Sequence, residues 1–458
     1  MDETKKLIRK CYELDYDSLS AEVIDRIKYL LLDYLGVALR GALYDSSRPP
    51  QKLARNMGAD SSKAVVIGTD ILTTPPLAAI ANGISAHAPE LDDVVNEASL
   101  HPGAVVMSAA LAASCLPGTT ARSFIESVVV GYEVTVRAAL SLDPSAPYDQ
   151  GFHPTGTCGV MGAAVATAKI MNLDPDQMAN ALGIAGSQAS GSMEFLSDGS
   201  QTKRFNAGWA AQSGVMAALL AKDGFTGPST IFEGKHGFLH SYAARSNPDR
   251  LLTDWSSPYH ILKTSIKPHS CCRYKQGSID CVLKIMQENE LDPGDIEKVT
   301  IGVLTAGFPL VAEPIDKKQH PKSIVDAQFS MPFGAAVAML YGKAALNEYT
   351  LENVQAKRVI SLMEKISCVK DKDLDAEFPK KWPAWAKILT TKGQTFSAAV
   401  EYPKGDPENP FTWDELIEKF NGLTAPLFSP EKQIQVVDSV RSLNQKSNLN
   451  KLVNKLMV

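Results

Sequence analysis

Two runs decide the fold: Gly159–Met171, GVMGAAVATAKIM, and Gly208–Ala221, GWAAQSGVMAALLA. Each carries small residues three or four positions apart, so they share one side of a helix. A face without bulk lets two helix axes approach closely. That suits the centre of a large helical domain, and it equally suits a subunit interface. A turn bearing polar chemistry stands at or before each run. GFHPTGTCG (Gly151–Gly159) places His153 before Pro154, which restricts His153 to extended backbone. DGSQTKRFNAGWAAQSG (Asp198–Gly214) places Lys203 and Arg204 in a second Gly-rich turn.

Working outward, residues 1–262 read mostly as helix. Ala21–Ala42 repeats Val23, Ile27, Leu30, Leu31 and Tyr34 at helical spacing, with Ser18 or Ser20 as a cap. Further helices are expected at Pro75–Ala88, Val105–Leu116, Ala121–Leu140, Thr157–Met171, Pro175–Ala185 and Trp209–Ala221. After about residue 265 the pattern changes. KVTIGVLT (Lys298–Thr305) alternates like a strand, and AKILTTKGQTFSAAVEY reads as two strands around Lys392-Gly393. Helices are expected there at Ser278–Asn289 and Ala327–Tyr341. The tail returns to helix behind the caps Thr412 and Ser429. The expected fold is mostly α with an α+β second domain. Residues 1–265 and 404–458 form the helical domain, and residues 266–403 an inserted α+β lid.

Composition narrows the function. The 458 residues are 45% hydrophobic and 21% charged, with net charge −5. That balance offers no surface for nucleic acid. No stretch reaches the ~18 uncharged apolar residues of a membrane span. The opening MDETKKLIRKCYELD has no apolar core of signal-peptide type, so the expected location is cytoplasmic. Seven scattered cysteines without a CxxC pair give no zinc or iron–sulfur pattern.

Four segments carry candidate chemistry. HAPELDDVVNEASLHPGAVV gathers His87, Glu90, Asp92, Asp93 and His101. Carboxylates beside a histidine orient its ring and raise its pKa. A solvated acidic loop is the other reading of this run, and a divalent metal a third. His153 is either a proton-transfer group or a structural residue at a helix start. Lys203 and Arg204 are either an anion-binding pair or a basic surface patch. SIKPHSCCRYKQGSIDC adds Lys267, His269, Arg273 and Tyr274, in a pocket or in a basic linker. There is no GxSxG elbow, P-loop or GxGxxG fingerprint. Histidines together with cations suit a substrate with several carboxylates, because cations stabilise the enolate left when a proton or CO2 departs.

Together these segments resemble the MmgE/PrpD family. The matching stretches are LLDYLGVAL, ELDD…HPGAVV, GFHPTGTCG, ALGIAGSQASGSMEFLSDGSQTKRFNAGWAAQSG, GFTGP, KPHSCCRY and AQFSMPFGAAVAML, in family order. Members include 2-methylcitrate dehydratase, cis-aconitate decarboxylase and iminodisuccinate epimerase. The resemblance implies a helical domain built from both chain ends, a smaller α+β lid, a homodimer, a small polycarboxylate substrate, and no metal or organic cofactor. It implies His101, His153, Lys203 and Lys267 as catalytic groups. Glu90, Asp92, Asp93, Arg204 and Tyr274 would contact substrate. The reaction class is a lyase of dehydratase or decarboxylase type, with an epimerase as the alternative. The chain departs from the decarboxylase pattern at Glu90 and Val94, which replace an Asp and a Thr. It departs again at Phe333, which replaces a Tyr, and many members have a His where Gln276 stands.

Overall fold

The computed structural model describes residues 2–58, 63–142, 148, 150–256, 258–445 and 449–458. Helix dominates, and the chain divides into two compact units. The first comprises Met1–Ala88, Asp92–Thr264 and Thr412–Val458; the second comprises Pro89–Leu91 and Ser265–Phe411.

In the first unit the helix starts follow local chemistry. The Ser20 side chain, rather than Ser18, accepts from the Val23 amide and begins Ala21–Gly41. Thr120 and Asp174 begin Ala121–Ser141 and Pro175–Gly186 with reciprocal capping boxes. Prolines open Pro75–His87, Pro102–Ala113 and Pro154–Ile170, where the missing N–H has no helical partner to lose. Two of these helices therefore start three residues earlier than expected, and His101 and His153 become their N-caps.

The larger correction concerns Thr202–Lys222, which begins seven residues before Trp209. Lys203 and Arg204 lie in its first turn and not in a loop. Gly208 does not break this helix, because it is where the helix crosses Pro75–His87. A Cβ on Gly83 would lie 2.7 Å from the Gly208 Cα. Further along, a Cβ on Gly214 would meet the Ala164 amide at 2.6 Å. A Cβ on Gly162 would overlap the Thr135 hydroxyl and the Gly131 carbonyl oxygen. The small-residue faces are thus spent on backbone-to-backbone crossings inside this unit.

The C-terminal tail packs within the same unit. The Thr412 capping box with Glu415 starts Trp413–Thr424, whose Phe420 lies against Gly36 of Ala21–Gly41. Fully buried Arg137 bonds Glu133 one turn away at 2.8 Å, and its guanidinium also donates to the carbonyls of Thr253 and Asp254.

The second unit holds a four-stranded sheet in the order Ile366–Lys370, Ile296–Val303, Ala384–Thr390, Thr395–Val400. The first pair is parallel and the others antiparallel. The last two strands form the expected hairpin, with Gly393 at φ +80° in its turn. Ile366–Lys370 was not anticipated, since its five residues alternate weakly. Ala327–Tyr341 is in fact two helices, Ile324–Gln328 and Met331–Tyr341, because Ser330 caps the second. No described helix is long and apolar enough to cross a membrane.

These crossings predict opposite outcomes for two glycines. Gly162→Ala forces a methyl into occupied space and lowers the unfolding free energy by about 1–3 kcal/mol. Gly422→Ala, on a helix face with nothing within 4 Å, raises it by about 0.5–1 kcal/mol. Urea titrations of both variants check this, and a Gly162→Ala protein as stable as the parent defeats the packing argument.

Candidate active site

The site begins where Pro75–His87 ends. The chain turns through Glu90, held at φ +57°, and runs out through Val94–Val95. It returns after a tight turn at Ser99, with the Val95 amide bonded to the Leu100 carbonyl at 3.0 Å. This hairpin brings His101 back beside His87. The run was open to reading as a solvated loop, yet Glu90, Asp92 and Asp93 are all buried.

Asp92 and Asp93, the two carboxylates of this run in the first unit, have different partners. Asp92 Oδ2 lies 2.6 Å from His87 Nδ1 and 3.6 Å from His101 Nδ1. The Asp93 carboxylate accepts from the Gly103 amide at 2.9 Å and from the Tyr132 hydroxyl at 2.6 Å. Burial pushes the Asp93 carboxyl up to about 7, against the pull of those two donors. Its carbonyl oxygen lies 2.6 Å from His101 Nδ1. A carbonyl can only accept, so the His101 Nδ1 carries a proton and Nε2 is the nitrogen left to exchange one. The His101 amide donates to Thr155 Oγ1 at 3.1 Å, tying this segment to the next histidine's helix.

His153 is held by its amide, which donates to the Gly191 carbonyl at 2.8 Å, in the extended backbone that Pro154 requires. Its ring stacks on His87 at 5.6 Å, and His87 is 5.3 Å from His101. Phe195 covers another edge of His153 at 5.9 Å. Burial, with the nearby His87, Lys203 and His101, holds His153 well below the usual histidine range. It is therefore neutral at neutral pH, the form a general base needs. Lys203 is near enough to contribute to that depression, so it and the three imidazoles share one electrostatic environment. Arg204 follows it in the same first helical turn, half-buried.

Glu90, Lys267 and Tyr274 belong to the second unit. Lys267 is fully buried, with its ammonium 3.3 Å from the Glu90 carbonyl. The Tyr274 ring lies against Trp382 at 4.4 Å. Two other candidates of that segment are bound into the structure: Arg273 grips Asp406 at 2.6 and 2.7 Å, and His269 meets Asp280 at 2.9 Å. Gln276 is a clamp, exchanging bonds with the His269 amide and carbonyl and donating to the Cys271 carbonyl. Phe333 is buried against Tyr349, without a hydroxyl to offer. No group of three or more His, Cys, Asp or Glu among the described residues is arranged to hold a metal ion.

Sequence reading missed two supports of the site. Tyr132 sits within an apolar helical run, and nothing local marks it as the partner of Asp93. Asp33 is buried on Ala21–Gly41 and paired with Lys419 at 2.5 Å, far along the chain. A lone Asp on the buried face of an apolar helix was the available signal.

Comparisons with known proteins identify the family. The MmgE/PrpD N-terminal domain matches residues 5–251 and the MmgE/PrpD C-terminal domain matches residues 269–444. A cis-aconitate decarboxylase-like protein of Aspergillus oryzae is 27% identical, over 98% of this chain and 96% of its own. Cis-aconitate decarboxylase of Aspergillus terreus is 25% identical, over 98% and 95%. 2-Methylcitrate dehydratase of Salmonella typhimurium is 26% identical, over 93% and 91%. With both family domains matched in order, and the motif histidines and carboxylates drawn together in the first unit, the chain belongs to the MmgE/PrpD family.

Proposed function

We propose that this protein is a lyase, of dehydratase or decarboxylase type, acting on a small di- or tricarboxylate without a metal or organic cofactor. The observation that carries the proposal is the cluster of buried His153 and His87 with half-buried His101, beside Lys203. In a dehydration, neutral His153 takes a proton from the carbon next to a carboxylate. Lys203 and Arg204, in the first turn of their helix, hold carboxylate oxygens where the helix dipole also favours negative charge. The ammonium then stabilises the enolate. His101 in its protonated form, its Nδ1–H still on the Asp93 carbonyl, gives its Nε2 proton to the leaving hydroxyl, which departs as water. In a decarboxylation the same cations hold the enolate after CO2 leaves, and an imidazole or lysine returns the proton. For Lys267 we keep the catalytic role, and for Glu90 and Tyr274 the substrate-contacting role, that the family resemblance implies. Asp92 and Asp93 act through the histidines they orient. The relatives named above, by their own names, act in these two ways.

An epimerase acting on an iminodisuccinate-like dicarboxylate shares the chemistry up to the carbanion, and only the fate of that intermediate differs. Proton NMR of candidate polycarboxylates in D2O separates the outcomes. Loss of CO2 or water marks a lyase, and deuterium uptake without net product marks an epimerase. No change in any polycarboxylate refutes both. Where turnover is found, His153→Ala and Lys203→Ala each lower kcat by ~100-fold or more. Near-normal rates in either variant would remove that residue from the chemistry.

The proposed assembly is a homodimer. Phe205, Trp209, Met216 and Leu220 follow one face of Thr202–Lys222, and each is roughly two-fifths exposed. With Phe225 and Pro228 this face borders a groove of about 480 Å³. A second copy of the same face is a self-complementary partner. Sedimentation velocity of Trp209→Glu should show monomer where the parent is dimeric; a dimer that survives the charge places the interface elsewhere.

A further inference from the structure

Two of the matched stretches, KPHSCCRY and AQFSMPFGAAVAML, hold polar residues that the reaction above does not use. Ser270 and Gln328 are both completely buried in the second unit. The Ser270 hydroxyl donates to the Pro89 carbonyl at 2.6 Å. The Gln328 side-chain amide donates to the same carbonyl at 3.2 Å and to the Ser270 hydroxyl oxygen at 3.5 Å. A carbonyl oxygen has two lone pairs, so both are engaged. The next carbonyl, that of Glu90, receives the Lys267 ammonium at 3.3 Å. Glu90 itself stands at φ +57°. That is left-handed backbone, which a residue of this size adopts at a cost and keeps only where its surroundings fix it.

We propose that Ser270 and Gln328 are positioning residues: by occupying the Pro89 carbonyl they hold the Pro89–Leu91 turn in the form that places Glu90 for substrate. This inference rests on the reading of Glu90 as a substrate contact.

Both donors are themselves fixed, by groups of the same unit. The Ser270 amide donates to the Ala344 carbonyl at 3.3 Å. Gln328 ends the helix Ile324–Gln328, and its own carbonyl accepts from the Cys272 amide at 3.1 Å and from the Lys275 ammonium at 3.3 Å. Lys275, fully buried, also donates to the Ala327 carbonyl at 2.9 Å and to the Tyr349 hydroxyl at 3.4 Å. The Gln328 main chain is thus tied down, and its side chain donates to the turn. The orientation of the amide follows from its acceptors, since the reversed group would set oxygen against the Pro89 carbonyl oxygen. Gln328 Oε1 is left buried, with no hydrogen-bond partner among the described residues. A residue kept only for packing would be apolar and would avoid that cost. The donor side of the amide, and hence the turn, accounts for a glutamine here.

Hydrogen-exchange mass spectrometry on the full chain tests the turn without substrate. Ser270→Ala and Gln328→Met should each speed exchange across residues 88–95 by roughly ten-fold, the protection that one buried hydrogen bond gives. The strand Ile296–Val303 should exchange as in the parent. Unchanged exchange over 88–95, or a rise that this strand shares, overturns the inference. The positioning role is read with whichever polycarboxylate is turned over. Gln328→Met should raise KM by roughly ten-fold, with a smaller change in kcat. In a Glu90→Gln background the same substitution should add little, because its effect runs through Glu90. Effects that multiply in the double variant overturn the inference. Faster exchange confined to 88–95, in a chain that turns over no polycarboxylate, would keep the held turn and sink the assigned reaction.

Discussion

Everything in the first unit depends on how closely its helix backbones can meet. At Gly83–Gly208, Gly162–Gly131 and Gly214–Ala164 there is no room for a side-chain carbon. The helices that cross there also carry the site at their ends. His87 closes Pro75–His87, His153 caps Pro154–Ile170, and Lys203 opens Thr202–Lys222. A wider crossing would move these termini apart, and the imidazoles would lose their 5–6 Å spacing. Packing and chemistry are therefore set by the same glycines.

The unit also carries an unusual load of buried charge. Burying an ion costs several kcal/mol unless a partner and hydrogen bonds offset it. Glu133 and Arg137 meet that condition with each other and with nearby backbone groups, well away from the histidines in sequence. Asp33 has Lys419, and Asp93 has Tyr132 and the Gly103 amide. The histidine cluster is different: Asp92 lies against two of its rings, and burial with nearby cations depresses the third, His153. Ionisation perturbed by burial and charged neighbours is characteristic of sites where it is used.

Much of the fold was legible because helical periodicity and small-residue spacing are local signals. The helices of residues 21–221 were found where expected, with ends displaced by up to seven residues. The largest displacement, at Thr202–Lys222, came from treating Gly208 as a turn residue when it is a crossing point. The strand Ile366–Lys370 escaped because its order comes from pairing with Ile296–Val303, some seventy residues earlier. His101, His153 and Lys203 were legible as a group through family motifs. Tyr132, Asp33 and the central place of His87 were not, since each is defined by what it touches.

The sequence by itself determined which segments are helical, where prolines and capping residues start them, and which polar groups interrupt apolar runs. These follow from side-chain volume and hydrogen-bonding capacity read over a few residues. Only the tertiary structure decided that the acidic run is buried, that Asp92 faces two imidazoles, and that His87 stands between the other two rings. Those are distances between groups separated by tens of residues, fixed by where helices cross, and no local pattern encodes a crossing point.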